Sequence, residues 1–77
     1  MIYILELLNK IKFSDNKGNY VIRYFDRQKD TTKEVNFKDI KFFDKLCFVI
    51  NVEGYDSLIP LHRIKEVVKD NEIVWRR

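Results

Sequence analysis

Ile59-Pro60-Leu61-His62-Arg63-Ile64 holds the chain's one proline and one histidine, with an arginine beside the histidine and aliphatic residues around both. Ile59 and Leu61 continue the alternation of a strand that starts at Ser57, but Ile64 follows Leu61 by three residues. That spacing breaks a flat strand, whose side chains alternate with period two. Either a bulge or a single helical turn intervenes. Proline removes a ladder donor and suits a first helical turn or a sheet edge. The stretch therefore predicts a short turn around Pro60 to Arg63. Ile59, Leu61 and Ile64 are expected in the core beneath it, which mounts His62 and Arg63 on a rigid base.

Reading outward, Lys65–Lys69 and Glu72–Arg76 flank Asp70-Asn71, and two turn formers between two such runs signal a hairpin. On the other side, Glu53-Gly54-Tyr55-Asp56 makes a turn that follows a strand over Leu46–Val52. Leu46, Phe48 and Ile50 face one way in that strand and Cys47 and Val49 the other, so it should be central. Phe42 and Phe43 lead into it through Asp44-Lys45. Lys33–Lys38 reads as a further strand with Val35 and Phe37 on one face, ending at Asp39 and Ile40. Tyr20–Gln28 is rich in aromatic and β-branched residues and reads as another, joined to it by a turn at Lys29-Asp30-Thr31-Thr32. Its alternation sets Tyr20, Ile22, Tyr24 and Asp26 against Val21, Arg23, Phe25 and Arg27.

Met1–Lys12 carries Ile4, Leu5, Leu8 and Ile11 at helical spacing, widened by Ile2 and Leu7, with Phe13 expected to pack at its end. Ser14–Asn19 supplies a loop in which Gly18 suits a positive φ. The expected architecture is α+β. One N-terminal helix packs on a strongly bent antiparallel sheet or half-open small barrel of five to six strands, with residues 1–77 as a single domain. The sequence shows no repeat, linker or low-complexity segment.

Composition narrows the classes. At 77 residues and 45% hydrophobic content the chain suits one small core, not a disordered tail. No apolar run approaches the roughly 18–20 residues of a membrane span. Met1–Leu8 is apolar but lacks the basic region and cleavage site of a signal peptide. A net charge of +3 permits a nucleic-acid partner without demanding one. Cys47 is alone, so it builds neither a disulfide nor a zinc site, and a cytoplasmic setting is expected.

Three sets of residues offer chemistry. His62 and Arg63 place a proton donor or acceptor next to a fixed cation, suited to a phosphate; the plainer reading is a surface arginine and a structural histidine. Asp26 and Arg27 end a strand, with Arg23 one face-step behind Arg27, so the arginines can share a ligand or simply form surface ion pairs. Trp75, followed by Arg76 and Arg77, can stack a base or close the last hairpin. Catalytic templates are missing: no second histidine, no nucleophile at recognisable spacing, and no metal-ligand pattern. No cofactor or metal is expected, and Cys47 reads as plain core.

The same stretch, Ile59-Pro60-Leu61-His62-Arg63-Ile64, resembles a family of uncharacterised small archaeal proteins whose domain is named for RNA cyclic-group end recognition. That domain also occurs fused to RNA-processing and RNA-repair proteins. Leu7–Lys12, Tyr20–Arg27, Val35–Ile40 and Glu72–Arg77 resemble further blocks of the family in the same order. Two positions depart: Phe13 stands where tryptophan is usual, and Arg76 where an acidic residue is usual. The resemblance implies binding of RNA ends bearing a 2′,3′-cyclic phosphate, through Asp26, Arg27, His62 and Arg63, with Trp75 as a further position.

The expectation is a non-catalytic RNA-end binding module linked to RNA repair or processing. It would act with an RNA ligase, nucleotidyltransferase or phosphoesterase, with Arg23 beside the positions above and no membrane partner. The alternatives are a small cyclic phosphodiesterase or nuclease using His62, and a protein-interaction module. Asp26, Arg27, His62 and Arg63 are expected to meet in one concavity.

Overall fold

The apolar stripe of the first segment does form a helix, α1 (Ile4–Phe13), with Leu8 fully buried and Ile4, Leu5, Leu7 and Ile11 packed around it. The structure is a computed structural model that describes residues 3–13 and 19–77. Met1, Ile2 and residues 14–18, with the expected positive φ of Gly18, lie outside the described residues. Phe13 does not pack: it is 78% exposed, because it ends the helix off the Ile4–Leu8–Ile11 stripe. The Lys12 ammonium sits 5.6 Å from its ring centre.

Among the described residues seven strands follow: β1 (Tyr20–Asp26), β2 (Thr31–Asn36), β3 (Ile40–Phe43), β4 (Cys47–Val52), β5 (Tyr55–Pro60), β6 (Ile64–Lys69) and β7 (Glu72–Arg76). They form two antiparallel sheets, one of four strands in the order β2-β1-β6-β7 and one of three in the order β3-β4-β5. The fold is α+β, as expected, but the single bent sheet or half-open barrel is replaced by two sheets that do not close. The additional strand is β3. A bulge between Ile40 and Phe42 breaks its alternation, which hides it from a period-two reading.

Local chemistry sets the strand ends. The Asp26 carboxylate accepts from the backbone N–H groups of Gln28 (3.0 Å) and Lys29 (3.3 Å), so the chain turns as soon as β1 ends. This turn runs over residues 27–30, and β2 has already begun at Thr31. At the β4–β5 turn Glu53 and Gly54 both have positive φ (52° and 89°), and at the β6–β7 turn Asp70 and Asn71 do (49° and 72°). Positive φ at both central residues matches the right-handed twist of tight hairpins.

The core lies between the sheets under α1. Phe48, Ile22, Ile64 and Val67 are fully buried there with Leu8, and the Tyr24 ring meets Phe48 edge-on at 5.6 Å. As expected, β4 is the central strand of its sheet. Leu46 precedes the strand and is 70% exposed, while Cys47 is only half-buried, on the face away from Phe48.

The chain passes between sheets twice, each time through a three-residue 3-10 turn: Phe37–Asp39 between β2 and β3, and Leu61–Arg63 between β5 and β6. The outer face of the four-stranded sheet carries a different device. Glu34, Arg23, Glu66 and Arg76 lie side by side across β2, β1, β6 and β7. Arg23 bonds Glu34 at 2.8 Å and Glu66 at 3.1 Å, and Arg76 bonds Glu66 at 3.1 Å.

Candidate nucleic-acid interface

Pro60 has φ −58° and ψ 139°, close to the φ its ring imposes, and hands an extended strand directly to the 3-10 turn. A 3-10 turn has about three residues per turn, so successive side chains diverge by about 120°. Leu61 points into the core, and His62 and Arg63 leave the turn on different sides. The turn closes with the Ile64 N–H donating to the Leu61 carbonyl. Leu61 N–H donates to the Leu46 carbonyl at 2.9 Å. Arg77 then clamps it from outside, Nη2 donating to the Leu61 carbonyl (3.1 Å) and Nε to the Ile64 carbonyl (3.0 Å). Beneath the turn Leu61 and Ile64 are buried as expected, while Ile59 is half-buried.

Arg63 lines a cavity of about 460 Å³ between the end of the β1–β2 hairpin and strands β4 and β5. Asp26, Lys29 and Lys33 face it from the hairpin, with Tyr24 on its inner wall. Glu53 and Ser57 face it from the other sheet. The Lys33 ammonium bonds the Asp26 carboxylate at 2.9 Å. That contact, helped by the turn N–H groups, holds Asp26 below the usual carboxylate range, and it raises Lys33 in return. Burial pushes the Tyr24 phenol up, so it stays a neutral hydroxyl. Arg63 is half-buried and has no ion pair or side-chain hydrogen bond among the described residues.

The expected site residues separate into five places. Asp26 and Arg63 share the cavity. Arg27 is exposed in the same turn as Lys29 but does not line it, and it has no ion pair among the described residues. His62 lines a second concavity, with Lys45 and Arg77, so the expected single concavity is two, separated by the turn. Arg23 belongs to the charged row on the outer face of the four-stranded sheet. Trp75 packs against the core with the Arg77 guanidinium 5.4 Å above its ring.

Arg76, standing where the resemblance leads one to expect an acid, bonds Glu66 in that same row, while backbone carbonyls orient Arg77. Lys29 and Lys33 have no signal of their own in the sequence, and Arg77 has one only as a neighbour of Trp75. A hint for Lys33 lay in Asp26, which needs a partner where a hairpin brings the next strand back.

Among the described residues no three histidine, cysteine or acidic groups gather as a metal-binding set. No helix among them is long and apolar enough to cross a membrane. The family model described as MJ1316 RNA cyclic group end recognition domain matches residues 1–77, the whole sequence given. No curated protein and no solved structure matches the chain.

Proposed function

The chain belongs to the family of the MJ1316 RNA cyclic group end recognition domain, and from that premise we propose that it binds RNA ends carrying a 2′,3′-cyclic phosphate without turning them over. The observation that carries the reading is Arg63, a half-buried guanidinium without a partner among the described residues, facing a cavity of about 460 Å³. Removing a cation from water without pairing it is costly, and an anion entering the cavity offsets that cost. A volume in the range of small-ligand sites admits one terminal nucleotide.

In this reading Arg63 addresses the cyclic phosphate with two donors of its planar fork. Lys29, on the hairpin turn, adds attraction from the opposite wall, and Arg27 steers the strand from the exposed part of that turn. Asp26 is engaged with Lys33 and the turn backbone, so it positions Lys33 and does not take a proton from the ribose. Opening a cyclic phosphate needs a base for water and an acid for the leaving oxygen. His62 faces a different concavity from Asp26 and Arg63, which supports binding over hydrolysis. An end held intact then passes to an enzyme that joins, extends or opens it: an RNA ligase, nucleotidyltransferase or phosphoesterase. The lone Cys47 suits a reducing compartment.

An interaction-module reading draws on the outer face of the three-stranded sheet, where Phe42 and Leu58 are 57% and 69% exposed. The test titrates one oligoribonucleotide, with cyclic-phosphate, 3′-phosphate or hydroxyl ends, against the full chain at fixed salt. The cyclic end should bind tightest. Arg63→Ala should cost about 10–100-fold, the worth of one charged hydrogen-bonding group. Lys38→Ala, in the other 3-10 turn, should change nothing. Equal affinity for all three ends overturns end recognition, and release of a monoester during the titration overturns the non-catalytic part.

A further inference from the structure

His62 lines a concavity of its own, about 430 Å³, on the opposite side of the 3-10 turn from the Arg63 cavity. Ile4, Leu5 and Leu61 give it an apolar floor. Lys45, His62 and Arg77 face it, and Glu6 is the one carboxylate among its described lining residues. Tyr3, largely exposed, offers a ring at its edge. Lys45 and His62 are exposed and have no ion pair or side-chain hydrogen bond among the described residues. An apolar floor beside an unpaired ammonium and an unpaired imidazole suits a flat ring attached to a phosphodiester, whose base has a π-face and whose backbone is negative. A lone phosphate would waste the floor, and an apolar ligand would waste Lys45 and His62.

We infer that this concavity is a second nucleotide subsite, which takes the residue immediately 5′ to the RNA end. The inference rests on the reading above, in which the terminal nucleotide occupies the Arg63 cavity. Adjacent residues His62 and Arg63 stand about 3.8 Å apart at Cα and diverge by about 120°. The turn is thus a narrow wall with the Arg63 guanidinium on one side and the His62 imidazole on the other. An RNA end straddles it, with the terminal phosphate against Arg63 and the connecting phosphodiester near Lys45 and His62. The base of the inner nucleotide lies on the Ile4–Leu5–Leu61 floor beside Tyr3, and Glu6 offers an acceptor to its exocyclic amino group. Recognition then needs two nucleotides, which separates a strand end from free cyclic mononucleotides of similar chemistry.

The test compares adenosine 2′,3′-cyclic phosphate with adenylyl-adenosine 2′,3′-cyclic phosphate, each titrated against the full chain at fixed salt. The dinucleotide should bind at least about fivefold tighter, since stacking one base is worth that or more. Lys45→Ala and His62→Gln should each remove most of that gain and leave the mononucleotide affinity unchanged. Arg63→Ala should weaken both ligands. Equal affinity of the unaltered protein for the two ligands overturns the subsite alone. So does a Lys45→Ala variant that weakens both equally, because that is general attraction to phosphate. Indifference of both ligands to Arg63→Ala overturns the cavity reading, and the subsite with it.

Discussion

The two 3-10 corners have nearly the same backbone and different bracing. Val35-Asn36-Phe37-Lys38-Asp39-Ile40 and Ile59-Pro60-Leu61-His62-Arg63-Ile64 share one pattern: an apolar residue, a spacer, an apolar residue, two polar residues, then isoleucine. In each, the residue before the turn is extended, with φ/ψ of −71°/141° at Asn36 and −58°/139° at Pro60. In each, the isoleucine N–H donates to the first carbonyl of the turn. Passage between two sheets requires such a corner twice, so the shape belongs to the fold. What differs is the bracing. Phe37 and Ile40 are half-buried, with the Phe37 ring against Phe43 at 6.0 Å, and exposed Lys38 and Asp39 oppose each other in charge. Leu61 and Ile64 are buried, Arg77 grips both of their carbonyls, and the two polar residues are a histidine and an arginine. The fold needs both corners; the proposed binding role falls to the one more firmly braced.

The largest effect should come from the core beneath each corner. Ile64→Ala is expected to cost about 2–5 kcal/mol of stability in urea unfolding, as fully buried isoleucines do. Ile40→Ala is expected to cost only about 1–2 kcal/mol, because a half-buried side chain forfeits less transfer free energy. Equal losses would erase the distinction between the corners.

Arg77 should come next. Arg77→Ala strips two charged donors from carbonyls of the second corner and is expected to cost about 1–2 kcal/mol. Arg77→Lys should recover part of this, since one ammonium carries the charge but lacks the rigid fork that spans two carbonyls. If both variants match the unaltered protein in the same unfolding experiment, the clamp is ornamental and the corners are braced alike.

The smallest effect is a pH dependence confined to the second corner. Asp44 accepts from the N–H groups of Cys47 (3.0 Å) and Leu46 (2.7 Å), which hold its carboxylate below the usual range. The Leu46 carbonyl in turn receives the Leu61 N–H. A carboxylate depressed in the folded state adds stability above its ordinary value and loses it as pH falls through the folded one. Hydrogen-exchange protection of the Leu61 amide should therefore decline below about pH 4, where ordinary carboxylates begin to protonate. Asp44→Asn should remove the dependence, and the Ile40 amide should be indifferent to the substitution. A decline shared equally by both amides would point to global acid unfolding.

Much of the second corner was legible in sequence. A proline before a spacing of three, with the alternation broken, left few choices besides a short turn. Asp70-Asn71 announced its hairpin, and the two apolar faces of Cys47–Val52 announced a central strand. The first corner has the same pattern, but Asn36 lacks the ring that makes Pro60 visible, so alternation alone does not reveal the repeat. The division into two sheets was hidden because alternation says which face a residue takes and nothing about which strands pair. In the site, the proximity of Asp26 to Arg63 was foreseeable from two strand ends. The parting of His62 from Arg63 was not, since it depends on the 3-10 twist. Arg77 was invisible because it grips backbone, which any residue supplies.

The charged row across the four-stranded sheet has a consequence for how the chain finds its own neighbours. Sliding β2 by two residues keeps its apolar side chains inward, so hydrophobicity scarcely objects. The slip does move Arg23 from Glu34 to Thr32 or Asn36. A two-residue slip of β6 moves Arg23 from Glu66 to Ile64 or Val68. Exposed ion pairs add little to stability, yet here each wrong alignment strips a carboxylate from Arg23. Because Arg23 and Glu66 each serve two neighbours, an error at one seam is felt at the next. The four charges work less as cement than as an address, which tells each strand at which residue its neighbour begins.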